Sequence, residues 1–245
     1  MAFLLYKLGN QFFKRCYPLY RPVYELFKAV SDRGERQLLR ETIRPGMTVV
    51  DLGANIGIYS LFFASLVGPA GRVYSFEPSP ENFSKLAASV RGRSNVVGVP
   101  AAAGERSKEM ALYLSDSLNV DHRSYATGGE ERRSIAIRCV ALDDYFPAGT
   151  PVDFIKADIQ GFELSALEGA KRLLADNPAV KLLLEFSPYL LTASGTSPQA
   201  LLDFLTSRGF LIKKVGEQGQ LEPLEAADFT VAETVYCNIF AAREP

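Results

Sequence analysis

The sequence has no tryptophan, one histidine and three cysteines, and its charges nearly cancel, 27 basic residues standing against 28 acidic ones. Each scarcity removes a class of protein. Cys16, Cys139 and Cys237 lie too far apart for a metal-ligand spacing or a secreted disulfide framework. They read as buried apolar side chains in a reducing, cytoplasmic setting, and no metal is expected. A formal net charge of −1 gives no basic field for phosphates, so no nucleic-acid partner is expected. No run approaches the roughly 20 apolar residues that cross a bilayer, and no basic segment precedes an apolar core as in an export signal. Internal repeats and low-complexity tracts are absent too.

What is present is a chain of 245 residues with 47% apolar content, enough for a full core in one α/β domain. Its central stretch is TVVDLGANIGIYSL, from Thr48 to Leu61. A short apolar run ends in Asp51 and passes through Gly53, Asn55 and Gly57 into a helical pattern. Such a strand, tight turn and helix start let backbone approach a ligand closely, because glycine has no Cβ. A dinucleotide needs G-x-G-x-x-G, whereas this chain reads Gly53-Ala54-Asn55-Ile56-Gly57 and lacks the middle glycine. A carboxylate at Asp51 repels a pyrophosphate but suits the ammonium of an amino acid, which favours S-adenosylmethionine. A second strand, 72–76, ends in Glu77, placed to accept both ribose hydroxyls.

The chain resembles the FkbM-type S-adenosylmethionine-dependent methyltransferases from about Gly34 to Phe210. The resemblance rests on VVDLGANIGIYS at 49–60, VYSFEPSPENFSKL at 73–86, NVDHRSY at 119–125, ALDDY at 141–145, VDFIKADIQGFELSALEGA at 152–170 and LLLEFSPYLL at 182–191. It implies the class I methyltransferase Rossmann-like fold: a mostly parallel twisted sheet with helices on both faces and an antiparallel strand, here 234–241, near one edge. It also implies S-adenosyl-L-methionine as cofactor and O-methyl transfer to a hydroxyl of a sugar, glycan or natural product. Relatives often carry tryptophan where this chain has Ser187, so no aromatic acceptor wall is implied.

The remaining pattern supports βαβ order. Helices are expected over 36–44, 57–67, from 79–82 onward, from Gln160 to about Leu174, and over 198–208. Strands are expected over 95–99, 152–157, 181–185 and 210–215, with the ligand at their carboxyl ends. Between 101 and 142 the stretches 109–114 and 134–140 alternate like strands around a polar insertion that hangs over the site. That insertion carries Asp116, Asn119, Asp121, His122 and Arg123.

The expected cofactor pocket comprises Asp51, Gly53, Asn55, Gly57, Glu77, Pro78, Ala102 and Asp158, with Asn119, Arg123 and Gln160 toward the acceptor. For catalysis the candidates are His122, Asp158 and Glu185. His122 has a resting pKa suited to taking the acceptor's proton. Asp158 ends a central strand and is open to three roles: holding the cofactor's ammonium, acting as base, or sharing a divalent cation with Glu185. Two other functions are weighed. A nucleic-acid methyltransferase needs an N/D-P-P-Y/F motif and a basic face, both missing, and a non-catalytic module has no use for Asp158, Gln160 and Glu185 together. Residues 1–33, ahead of the methyltransferase domain at 34–245, mix aromatics with six basic and two acidic residues, and Pro18 and Pro22 are expected to break them. They read as a helical pair covering the mouth of the site or packing on the sheet edge, or as a basic amphipathic segment, 1–31, touching membranes peripherally.

Overall fold

The computed structural model of the protein describes residues 17–114, 123 and 133–244. The described residues begin with two helices, α1 (Tyr17–Ser31) and α2 (Arg33–Thr42). Then β1 (Thr48–Leu52), α3 (Ile58–Val67), β2 (Arg72–Phe76), α4 (Pro80–Ser89) and β3 (Val96–Val99) alternate. After a second small sheet come α5 (Leu142–Tyr145), β7 (Phe154–Ala157), α6 (Glu163–Glu168), α7 (Lys171–Asp176) and β8 (Lys181–Phe186). The chain closes with α8 (Pro188–Ala193), α9 (Pro198–Thr206), β9 (Leu211–Val215), β10 (Leu221–Glu222) and β11 (Cys237–Ala242).

The main sheet runs β10-β9-β11-β8-β7-β1-β2-β3. Strands β3, β2, β1, β7 and β8 are parallel, while β11 pairs antiparallel with both β8 and β9. The central strands read as nearly unbroken apolar runs because helices cover both faces. Side chains of period two divide between them. Val49, Phe154, Leu183 and Phe240 pack under Leu39, Tyr59 and Phe63 of α2 and α3, whereas Val50, Leu52, Ile155 and Leu184 pack against Leu167, Leu174 and Leu205.

The insertion forms a sheet of its own. Strands β4 (Ala102–Ala103), β5 (Lys108–Tyr113) and β6 (Ser134–Val140) lie in the order β4-β6-β5, with β5 and β6 antiparallel. Asp116, Asn119, Asp121 and His122 lie outside the described residues.

Three expectations need correction. The helix expected from 36 begins at Arg33. Helix α1 runs unbroken through Pro22. Pro18 falls in its first turn, where a missing N–H loses nothing, and Pro22 forfeits one bond. The pairs Arg21–Glu25 and Lys28–Asp32, at 2.9 and 2.6 Å, tie the following turns. The helix expected to reach Leu174 is divided at Gly169, whose backbone lies so close to another segment that an added Cβ would sit 2.0 Å from the Gly104 carbonyl oxygen.

Candidate active site

A cavity of about 640 Å³ opens at the carboxyl ends of β1, β2, β7 and β8, where strand order places a ligand in folds of this kind. The turn after β1 is shaped by two left-handed residues, Gly53 at φ 81° and Asn55 at φ 50°. Gly53 tolerates no side chain, because a Cβ there would lie 2.1 Å from the Asp158 carbonyl oxygen. The Gly53 and Ala54 N–H groups donate to the Phe76 carbonyl at 3.1 and 2.9 Å, which fixes the turn against the tip of β2.

Glu77 lines the cavity from that tip. One of its carboxylate oxygens accepts from the Asn55 N–H at 2.8 Å and the other from the Ser79 N–H at 2.9 Å. The Asn82 side chain also bonds to this carboxylate, and its remaining acceptor capacity suits a ribose hydroxyl. Burial pushes this carboxyl up to about 7, against the pull of those backbone donors. Pro78 and Ala102 also lie on the wall.

Asp51 and Gly57 are placed differently from expectation, behind the wall. Asp51 is fully buried, its Oδ2 accepts from the Ser60 hydroxyl at 2.8 Å, and its Oδ1 has no donor. Burial raises it to about 6, with Lys156 pulling the other way. Gly57 starts α3 at φ 88° and faces α4, since a Cβ would lie 2.8 Å from Leu86 Cδ1. Asp51 therefore faces Ser60 rather than the cavity.

The far side of the cavity is built by β7, β8 and the loop after β7. Gln160 takes a left-handed φ of 57° and Gly161 one of 92°, where a Cβ would meet the Leu190 carbonyl at 2.3 Å. Glu163 pins this loop from below by accepting from the Ile159 and Gly161 N–H groups at 3.0 and 3.3 Å. The left-handed turn aims the Gln160 amide between two carboxylates: its Nε2 donates to Glu185 Oε2 at 3.1 Å and to Asp158 Oδ1 at 3.3 Å. Asp158 also meets the Lys156 ammonium at 3.4 Å. Burial is the largest influence and works against the Asp158 charge, yet Lys156, Lys28 and the Gln160 amide together outweigh it and hold the carboxyl below the usual range. Glu185 sits well above that range through burial and the neighbouring Asp158 charge. The two carboxyls thus behave as a pair in which Asp158 carries the charge and Glu185 keeps its proton longer.

Arg123 lies on the same wall, 9% exposed, its backbone joined to Tyr113 by two hydrogen bonds of 2.8 and 3.0 Å. The structure so brings together Gly53, Asn55, Glu77, Pro78, Ala102, Arg123, Asp158, Gln160 and Glu185. Sequence reasoning missed Lys156, Glu35, Tyr59, Tyr24 and Lys28, which also line the cavity. A signal existed for one of them, since Lys156 interrupts an otherwise apolar strand, Phe-Ile-Lys-Ala. Among the described residues no three His, Cys, Asp or Glu side chains converge as metal ligands.

S-adenosylmethionine fits this donor set. Asn55 Oδ1 is buried without a donor, Glu77 keeps acceptor capacity, and the acid-rich wall suits a ligand bearing a sulfonium and an ammonium. Fold and site together define a class I S-adenosylmethionine-dependent methyltransferase. Residues 51–212 match the Methyltransferase FkbM domain, and the chain belongs to that family. It is 44% identical over 81 residues to the 31-O-demethyl-FK506 methyltransferase FkbM of Streptomyces tacrolimicus, covering 31% of this chain and 30% of that one. It is 26% identical over 162 residues to the hexuronic acid methyltransferase AglP of Haloferax volcanii, covering 62% and 63%. Both matches span less than two thirds of those curated relatives. An rRNA methylase from Streptococcus thermophilus shares the fold with a TM-score of 0.51 at 15% identity, over 86% of this chain and 95% of that one.

Proposed function

We propose that this protein transfers a methyl group from S-adenosylmethionine to a hydroxyl of a sugar, glycan or natural-product acceptor. The observation that carries the reading is the Asp158–Gln160–Glu185 chain, which presents paired carboxyls to the cavity beside the glycine turn. The bound cofactor supplies an electrophilic methyl group. The protein then has to seat the acceptor oxygen in line, exclude water and take the proton. Gly53, Asn55 and Glu77 hold the cofactor in this reading, Gln160 and Arg123 orient the acceptor, and the Asp158–Glu185 pair receives the proton. The names of the relatives, a hexuronic acid methyltransferase and a 31-O-demethyl-FK506 methyltransferase, support a small hydroxylated acceptor. The near-neutral charge weighs against a nucleic acid.

Calorimetric titration tests the cofactor and a methyl-transfer screen over free and lipid-linked sugars tests the acceptor. S-adenosylmethionine should bind and NAD should not. Glu77→Ala should weaken S-adenosylmethionine by about 1.5–3 kcal/mol, the scale of hydrogen bonds to a charged group. Tight NAD binding with no S-adenosylmethionine signal sinks the reading.

We further propose that residues 1–33 form an extension closing the cavity and touching anionic membranes. Helix α1 supports this on both of its faces. Tyr24 and Lys28 line the cavity, while Leu19, Val23, Leu26, Phe27 and Val30 form an exposed apolar stripe, each at least 60% accessible. No helix among the described residues is long and apolar enough to cross a membrane, so contact is peripheral. A chain beginning at Asp32 should lose activity and vesicle binding. Retention of full activity, with vesicle binding no weaker than that of the whole chain, removes the segment from function.

A further inference from the structure

We propose that Lys156 is a positioning residue for methyl transfer, its ammonium holding the Asp158–Glu185 pair in the arrangement that accepts the acceptor's proton. This rests on the O-methyltransferase reading of the cavity above. Lys156 is 5% exposed, in a strand whose other residues are all apolar and buried. Its Nζ lies 3.4 Å from Asp158 Oδ2 and 4.7 Å from the centre of the Tyr59 ring. Burying an ammonium costs stability unless partners compensate, and an apolar residue of similar size often serves a core equally well. A lysine here therefore calls for a use.

The surroundings define that use. Acidic groups reach this corner from four elements: Asp51 from β1, Asp32 and Glu35 at the start of α2, Glu185 from β8 and Glu163 from α6. Asn238 of β11 donates to Glu35 Oε2 at 2.9 Å, and Tyr59 of α3 donates to Asp32 Oδ2 at 2.9 Å. From α1 come Tyr24 and Lys28, the latter joined to Asp32 at 2.6 Å. Among the described residues, Lys156 combines near-complete enclosure with a direct ion pair to Asp158. Without it, burial and mutual repulsion raise the proton affinity of both cavity carboxyls against the weaker pull of Lys28 alone.

The step balances simply. The acceptor oxygen forms a bond to the methyl carbon, the carbon–sulfur electrons stay on the cofactor's sulfur, and the hydroxyl proton passes to the carboxylate pair. Removing the Lys156 charge raises the proton affinity of that pair. The ascending limb of kcat must then move to higher pH.

In the full chain, Lys156→Met should shift that limb upward by about one pH unit or more and lower kcat at pH 7 by about 10-fold. Lys156→Arg should leave the limb near its original position. A purely structural lysine lowers the melting temperature and leaves the limb of the Met variant in place, which overturns the proposal. Side-chain carboxyl carbon-13 titration of the unsubstituted protein decides the matter even if variants fail to fold. Proton uptake by Asp158 below the ordinary carboxylate range supports the role, and uptake within or above that range overturns it. Failure of the unsubstituted protein to bind S-adenosylmethionine or transfer methyl groups overturns instead the reading on which this rests.

Discussion

Replacing Glu185 by glutamine is expected to lower kcat by about 10²- to 10⁴-fold, the span that general-base assistance contributes. The amide keeps the shape of the side chain and still accepts from Gln160 Nε2, now 3.1 Å away, so the wall of the cavity survives. What disappears is the carboxyl whose proton affinity burial and Asp158 have raised. Affinity for S-adenosylmethionine should stay within about threefold, because the interaction matters chiefly in the transition state. The ascending limb of the kcat profile should vanish with the rate. His122→Ala is the informative companion. If that variant loses the rate and a limb in the histidine range while Glu185→Gln stays near normal, the base belongs to the insertion rather than to β8.

The second large effect falls on the cofactor turn. Gly53→Ala should abolish measurable S-adenosylmethionine binding and lower the melting temperature by roughly 5–15 °C. Two penalties combine. An L-residue at φ 81° carries about 1–2 kcal/mol of backbone strain, and the new Cβ is driven to 2.1 Å from a backbone carbonyl that has no rotamer to escape into. Relief requires parting β1 from the Asp158 end of β7, which also moves Asp158 relative to the cavity. The contrasting variant is Gly68→Ala at the end of α3, where an added Cβ meets nothing within 4 Å despite a positive φ. It should cost only the strain and leave cofactor affinity intact. Equal loss of binding in both variants would mean that the turn after β1 does not contact the cofactor.

Much of this architecture is legible without coordinates. The apolar runs of β1, β7 and β8, the glycines that close helices and the acids at strand tips all follow from local sterics and from periodicity, which depend on near neighbours in the chain. Boundaries drifted where tertiary contact overrode local preference. The break at Gly169 exists because the Gly104 backbone passes against it, and α1 continues past Pro22 with ion pairs and packing beside it. Asp51 shows the same limit inside the site: its place at a strand end is plain, but only the packing of α3 over it reveals that it faces Ser60 rather than the cavity.

A parallel sheet, a glycine turn that fits S-adenosylmethionine better than a dinucleotide, and Glu77, Asp158 and Glu185 at strand tips are all readable from the order of residues. How those charges act on one another depends on the packed fold. It set the Gln160 amide between two carboxyls, lodged Lys156 under Tyr59 among acids from α2, β1 and β8, and placed α1 along the cavity. The reason is physical. Strand and turn preferences are written in residues a few positions apart, whereas the charge a buried group carries depends on partners that meet only when distant segments pack.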